Sequence, residues 1–258
     1  MIIKCICGED SWSYKGMKDG MVVAMCLRCG HWFIPEVSED YNELYESGLY
    51  HNGYQKSIGH IPYKDRYEHD YKIAELRLDN LERFGCYGNL LDIGCSNGAF
   101  VHRAIEYGYD AVGIDLEKDT GNIDNCICGS TEAIESLSKE VITMFDSIEH
   151  FVDMDHIFSE IVRILTPNGL LAIEAPDFSC QQFLDKGIHW KHVRPLEHIH
   201  MLSIKDYVYL LQKYGFDGIE ISFPIDGKIC IYAIKEKRCF QDNSDLVGYS
   251  DHSKISHY

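Results

Sequence analysis

Leu90-Leu91-Asp92-Ile93-Gly94-Cys95-Ser96-Asn97-Gly98-Ala99-Phe100 is the stretch from which the fold is read. Leu90–Ile93 has the short apolar character of a buried strand, and Gly98–Tyr107 that of the helix after it. Between them, two glycines occupy a strand-to-helix turn, where the missing Cβ lets the backbone approach a ligand closely. About twenty residues on, a second strand, Ala111–Asp115, ends in a carboxylate suited to ribose hydroxyls. A nucleotide-like ligand is implied. The spacing is D-x-G-x-x-x-G and not the G-x-G-x-x-G that seats a pyrophosphate on a helix N-terminus. A carboxylate before the first glycine repels a pyrophosphate and attracts the ammonium of an amino-acid ligand. That charge preference favours S-adenosylmethionine over a dinucleotide.

Outward from this stretch, short apolar runs alternate with helical ones, as a parallel α/β sheet requires. Asn125–Cys128, Val141–Phe145 and Gly169–Ala175 read as further strands. Met154–Leu165 is an amphipathic helix, and Ser203–Tyr214 a helix with a Ser N-cap and Gly215 as its stop. Gly218–Phe223 and Lys228–Ile234 suit an antiparallel pair at a sheet edge. The expected fold is therefore α/β and doubly wound, with a mostly parallel seven-stranded sheet and an antiparallel edge strand.

Upstream, residues 1–35 are Cys-rich with β-like runs at Met21–Met25 and His31–Ile34. Residues 36–87 form a Tyr-rich helical linker or lid. In it, Pro62–Phe84 reads as a helix with an apolar stripe at Ile73, Leu76, Leu78 and Leu81. Residues 88–236 hold the cofactor domain, and 237–258 a polar, loose tail.

Composition narrows the partners. The net charge is −17, from 24 basic and 41 acidic residues. A phosphate-tracking surface needs the opposite balance, which disfavours nucleic acid and anionic membranes and favours a small-molecule acceptor. No apolar run approaches the ~20 residues of a membrane helix, and the N-terminus lacks a signal-like stretch, so a cytoplasmic location is expected.

Residues 88–236 resemble the class I methyltransferases. Leu90–Phe100 is similar to their glycine-rich first motif and Asp115 to their ribose-binding acid. Phe145-Asp-Ser-Ile-Glu-His150 is similar to the fourth-strand segment, and Ile164–Leu171 to the turn into strand five. The resemblance implies that Asp92, Gly94, Cys95, Ser96 and Gly98 surround the methionine moiety, with Asp146 nearby. It also implies that Asp115 and Leu116 hold the ribose side and that Ser130 and Thr131 lie near the adenine. Cys128-Gly129-Ser130 departs from the Gly-Asp pair common there. Tyr50 or Tyr54, in a tyrosine-rich lid spanning Tyr41, Tyr45, Tyr50, Tyr54 and Tyr63, would reach the methionine carboxylate.

Four of the eleven cysteines (Cys5, Cys7, Cys26, Cys29) fall in the first 29 residues. Cys26-Leu-Arg-Cys29-Gly30 has the form of a zinc knuckle, and Cys5-Ile-Cys7-Gly8 a shortened one. Together they imply a structural Zn²⁺ ribbon, with His31 in reserve. Zinc ribbons precede methyltransferase domains of this kind in bacterial polysaccharide and secondary-metabolite pathways, which this order resembles.

Methyl transfer to a hydroxyl needs a base at the C-terminal end of the strands. His150 is the first candidate and His198 the second, in a Glu197-His198 pair that recurs in the resembling enzymes. Trp190, Arg194, Glu197 and His200 would face the acceptor, with Arg194 suited to a phosphate or carboxylate. Asp146, Glu149 and His150 also match a pattern with which some quinone-pathway O-methyltransferases hold a divalent ion. The expected activity is methylation of a polar small molecule, such as O-methylation of a sugar or nucleotide-linked sugar. The alternatives are an RNA base methyltransferase and a non-catalytic cofactor-binding subunit.

Overall fold

The computed structural model describes residues 1–41, 43–47, 65–224 and 227–236. The chain opens with β1 (Trp12–Lys18), β2 (Met21–Cys26), β3 (Trp32–Phe33) and a short helix α1 (Glu43–Glu46). Helix α2 (Tyr67–Glu82) leads into β4 (Asn89–Ile93), α3 (Ala99–Glu106), β5 (Asp110–Asp115), β6 (Cys126–Cys128) and β7 (Lys139–Phe145). Then follow α4 (Met154–Ile164), β8 (Leu165–Pro176), α5 (Gln181–Lys186) and β9 (His200–Met201). Helix α6 (Ile204–Lys213), β10 (Phe216–Ser222) and β11 (Lys228–Lys235) come last.

Seven strands form one sheet in the order β10-β11-β8-β7-β4-β5-β6. All pairs from β8 to β6 are parallel, while β11 runs antiparallel to both its neighbours. The expected architecture is met. Helices cover both faces because every central strand is apolar on both. One face packs Leu91, Ile142 and Ile173 against α4 and α6. The other packs Leu90, Val141 and Ala172 against α2 and α3. Strand β4 lies between β5 and β7, so the connections leave it in opposite directions and open a crevice at its C-terminal end.

Helix α2 buries Ala74, Leu78 and Leu81, whereas Leu76 stands 66% exposed. The stripe is narrower than the sequence suggests, since Leu76 sits about 200° around the helix from Leu78. The expected start of this helix, residues 62–64, lies outside the described residues, as do Tyr50, Tyr54, Tyr63 and the tail 237–258.

The first strands form a second sheet, β1-β2-β3-β9, whose last strand comes from the main domain. Trp32 pairs with Met201 and Phe33 with His200. Residues 1–35 hold too few large apolar side chains to bury a core alone, and Phe33, Ile34 and Val37 join the core that includes Ile199 and Met201. His31 lies at this seam, its ring stacked between Phe33 (5.5 Å) and His200 (5.2 Å). No helix among the described residues is long and apolar enough to cross a membrane.

Candidate functional site

The end of β4 is shaped by glycine. Gly94 and Gly98 have φ of +84° and +74°. A Cβ on Gly94 would stand 2.6 Å from the Ser147 Cβ, and one on Gly98 2.7 Å from the Ile123 Cγ2. Only glycine fits either position. The turn is closed by Asp115 at the end of β5, whose carboxylate accepts from the Ser96 amide (2.9 Å) and the Glu117 amide (3.0 Å). A carboxylate has about four acceptor positions, so two remain for hydroxyl groups of a ligand. Leu116 and Ser130 flank Asp115 at the ends of β5 and β6, where the Gly129 amide donates to the Asp115 carbonyl (2.9 Å).

Asp92 is buried and accepts from Thr143 Oγ1 (2.7 Å). Burial lifts its pKa to about 6, opposed by the Thr143 hydrogen bond and the charge of Arg77. Such a carboxylate gains from any cation brought beside it. Ser96 Oγ is buried with no hydrogen-bond partner among the described residues. A glycine-lined turn with an acid at the end of each flanking strand and an orphaned hydroxyl fits an adenosyl ligand bearing an ammonium. Within the expected set, Cys95 differs from its neighbours in what it can present. Its side chain is buried in the core, so close to Gly113 that a Cβ there would meet the sulfur at 2.6 Å. It can offer a ligand only its backbone.

Asp146, at φ +55°, is held by charges that the sequence did not reveal. Lys228 Nζ lies 2.5 Å and Arg77 Nη2 3.3 Å from its carboxylate. The same two cations reach Glu174 at 3.0 and 2.7 Å. Burial works against a charged Glu174, yet Arg77 and Lys228 hold its pKa down to about 2. This network joins α2 to the ends of β7, β8 and β11. Its members are too far apart in sequence for any spacing rule to connect them.

Beside it stands a carboxylate–imidazole cluster. His198 lies with Nε2 3.9 Å from Glu149 Oε1, and its ring meets that of His150 edge-on at 5.0 Å. His198 Nδ1 donates to the His192 carbonyl (2.6 Å), which leaves the Nε2 lone pair facing Glu149. His150 Nδ1 is 3.0 Å from the Tyr45 hydroxyl, and the Tyr41 hydroxyl donates to the Glu197 carbonyl (2.9 Å). Burial pushes Glu149 up to about 8 and His150 down to about 4, and holds His198 well below its ordinary value. All three are therefore neutral near pH 7. Glu149, His150 and His198 bring their ligand atoms within 4.8 Å, whereas Asp146 belongs to the Lys228 network; the Asp146–Glu149–His150 ion set does not assemble.

The acceptor residues divide. Arg194 is partly exposed, with Nη1 3.4 Å from Glu197 Oε2. Glu197 is 1% exposed. Trp190 and His200 depart from expectation. The Trp190 indole is fully buried against Phe178 (5.1 Å) and Phe183 (5.9 Å), since so large an apolar surface gains most from the core. His200 donates from Nε2 to the Val152 carbonyl (3.1 Å) and is sealed under His31.

In the N-terminal sheet, Cys5 Sγ lies 3.6 Å from Cys7 and 3.4 Å from Cys29, and Cys7 3.6 Å from Cys26. The Gly8 amide donates to the Cys5 carbonyl (2.8 Å) and the Gly30 amide to the Cys26 carbonyl (3.1 Å), both glycines at φ +76°. A tetrahedron with bonds of ~2.3 Å has edges of ~3.8 Å, so the four thiols fit one zinc ion.

Comparison with curated proteins returns no match. Among solved structures the chain is similar to a SAM-dependent methyltransferase from Thermotoga maritima, with TM-score 0.51 and 17% identity over 67% of this chain and 97% of that one. A type 11 methyltransferase from Sulfolobus solfataricus gives TM-score 0.51 and 20% identity over 66% and 95%. A chain of the complex between the Haloferax volcanii Trm112 methyltransferase activator and a methyltransferase gives 0.51 and 16% over 78% and 100%. These likenesses concern the fold. In sequence, residues 65–221 match the family described as a methyltransferase domain, well over half the chain. With the glycine turn, the seven-stranded order and this match in agreement, the chain belongs to the methyltransferase-domain family.

Proposed function

We propose that this chain methylates a polar small molecule with S-adenosylmethionine, and that a hydroxyl of a sugar or nucleotide-linked sugar receives the group. The observation that carries the reading is the convergence of Asp92, Gly94, Asp115 and His150 at the C-terminal ends of β4, β5 and β7. Asp92, Ser96 and the Gly94–Gly98 backbone would hold the methionine part, Asp115 and Leu116 the ribose, and Ser130 the adenine edge. When bound, S-adenosylmethionine supplies an electrophilic methyl group on a sulfonium. His150, neutral at physiological pH, would take the one proton of the acceptor hydroxyl, with His198 beside it as the second candidate base, while the oxygen–methyl bond forms and the methyl–sulfur bond of the sulfonium breaks. Tyr45 orients His150, and Glu149 and the His192 carbonyl orient His198. The buried walls around the pair exclude water from the reacting atoms.

The four cysteines would hold a structural Zn²⁺; four thiolates fill a tetrahedron and leave no position for chemistry. The net charge of −17 disfavours the RNA reading. Calorimetry with S-adenosylmethionine on the zinc-loaded protein tests the proposal. Binding that Asp115→Ala weakens about 100-fold, roughly 2.7 kcal/mol, is expected. Absence of binding to the wild type overturns it.

A further inference from the structure

The β1–β2 hairpin is docked on the loop that carries the proposed acceptor residues, and it brings a cation with it. Lys18 Nζ donates to the Trp190 carbonyl (3.1 Å), a contact across 172 residues. The hairpin is held there by close packing, since a Cβ on Gly16 would stand 2.5 Å from Ile188 Cδ1. On the same loop, Arg194 Nε donates to the Lys191 carbonyl (3.3 Å), and the Glu197 and His198 amides close onto the Arg194 carbonyl at 2.8 and 2.7 Å. The His192 ring meets Trp190 edge-on (4.7 Å) and lies parallel to His198 (6.4 Å). Lys18 and Arg194, which donate to the adjacent Trp190 and Lys191 carbonyls, thus meet beside the proposed base pair, in a chain whose net charge is −17. Carboxylates face this spot as well: Asp19 adjacent to Lys18, Glu197 3.4 Å from Arg194, Glu149 3.9 Å from His198, and Asp146, whose charge reaches His192. Burial lowers the Lys18 ammonium pKa; attraction to Asp19 opposes this, and a weaker repulsion from Arg194 adds to it. A positive spot on so acidic a protein attracts anions selectively.

We propose that Lys18 and Arg194, one from each sheet, form the subsite for a phosphoryl group of the acceptor, so that the N-terminal module takes part in choosing the substrate. This rests on the methyltransferase reading above, which it deepens from a polar to a phosphorylated acceptor. A phosphoryl oxygen accepts charge-assisted hydrogen bonds from both side chains. Arg194 lies four residues before His198, so the anionic end and the reacting hydroxyl share one loop.

The test is calorimetry on the zinc-loaded full chain with S-adenosylhomocysteine present, using inorganic pyrophosphate, uridine diphosphate and a hexose 1-phosphate as probes. Binding of at least one probe is expected, weakened about tenfold (about 1.4 kcal/mol) by Lys18→Gln and by Arg194→Gln, and unchanged by Lys15→Gln. Pyrophosphate or the diphosphate binding best assigns a diphosphate linker; the hexose phosphate binding best assigns a monoester. Should Lys18→Gln not fold, acetylation of the wild type followed by mass spectrometry replaces it. The bound probe then protects Lys18 several-fold relative to Lys15. No probe binding, or affinities indifferent to Lys18 with equal acetylation, overturns the subsite. Tighter, salt-sensitive binding of an RNA oligomer than of pyrophosphate overturns the small-molecule assignment. Failure of S-adenosylhomocysteine itself to bind removes the methyltransferase reading instead, so the two failures are distinct.

Discussion

Replacing Gly94 with alanine tests the glycine turn directly. At φ +84° an L residue carries strain of about 1–2 kcal/mol. The new methyl group would also stand 2.6 Å from the Ser147 Cβ, and overpacking of that kind costs about 1–3 kcal/mol. Relief by moving Ser147 sacrifices the hydrogen bond from its Oγ to the Ile93 carbonyl (2.8 Å). Gly94→Ala should therefore destabilise the fold by roughly 2–5 kcal/mol, read by equilibrium denaturation, and lower the melting temperature by at least ~5 °C. The clash and the backbone strain can be separated. Ser147→Gly removes the atom that is struck and leaves φ as it is. Alone it should cost about 1–2 kcal/mol through the lost hydrogen bond. Combined with Gly94→Ala, the total should fall short of the sum by about 1–3 kcal/mol, the clash component. Strictly additive costs, or a Gly94→Ala variant as stable as the wild type, would refute the close-approach argument.

Asp92 should show its burial in pH dependence. Its folded pKa of about 6 is raised above the ordinary 3.8, so its contribution to stability is present below pH ~4 and lost as pH rises through 6. Asp92→Asn should therefore gain on the wild type by about 2 kcal/mol between pH 4 and 7.5, while losing S-adenosylmethionine affinity; a pH-independent difference in unfolding free energy would contradict this. Trp190→Ala should cost about 3–5 kcal/mol of stability, because the indole fills the core; a folded variant with only acceptor affinity lost would restore Trp190 to the pocket. Metal analysis should find one zinc per chain, lost with Cys26→Ser, and a metal content unchanged by that variant would exclude the cysteine site. His150→Asn and His198→Asn should each lower turnover by about 100-fold or more at unchanged cofactor affinity, and full activity in both would leave the pair without a role in catalysis.

The β4 turn, the strands of the main sheet and the cysteine set were legible because each depends on short-range pattern. Gly94, Gly98 and Asp115 lie within one βαβ unit, and their spacing carries the geometry. The Arg77–Glu174–Lys228–Asp146 network was not legible, because its ion pairs join α2, β7, β8 and β11 across 54 to 97 residues. Trp190 misled for a different reason. A Trp among histidines and an arginine reads as a pocket wall, yet its neighbours Phe178 and Phe183 had already made a core for it. Strand β1 escaped notice because its apolar residues, Trp12, Tyr14 and Met17, face outward and a bulge at Tyr14/Gly16 breaks the alternation. His200 belongs to β9, a strand of two residues that only its partner β3 defines.

That pairing of β3 with β9 bears on biosynthesis. The ribosome releases Phe33 long before His200, its partner in the smaller sheet, has been made. At ~5–20 residues per second, the amino-terminal segment waits roughly 10–30 s for its fourth strand. During that interval a metal ion would be the main agent holding Cys5, Cys7, Cys26 and Cys29 together. Nascent chains halted before Met201 emerges should therefore leave Cys26 open to alkylation when zinc is withheld, whereas the finished protein, which buries Cys26 completely, should shield it.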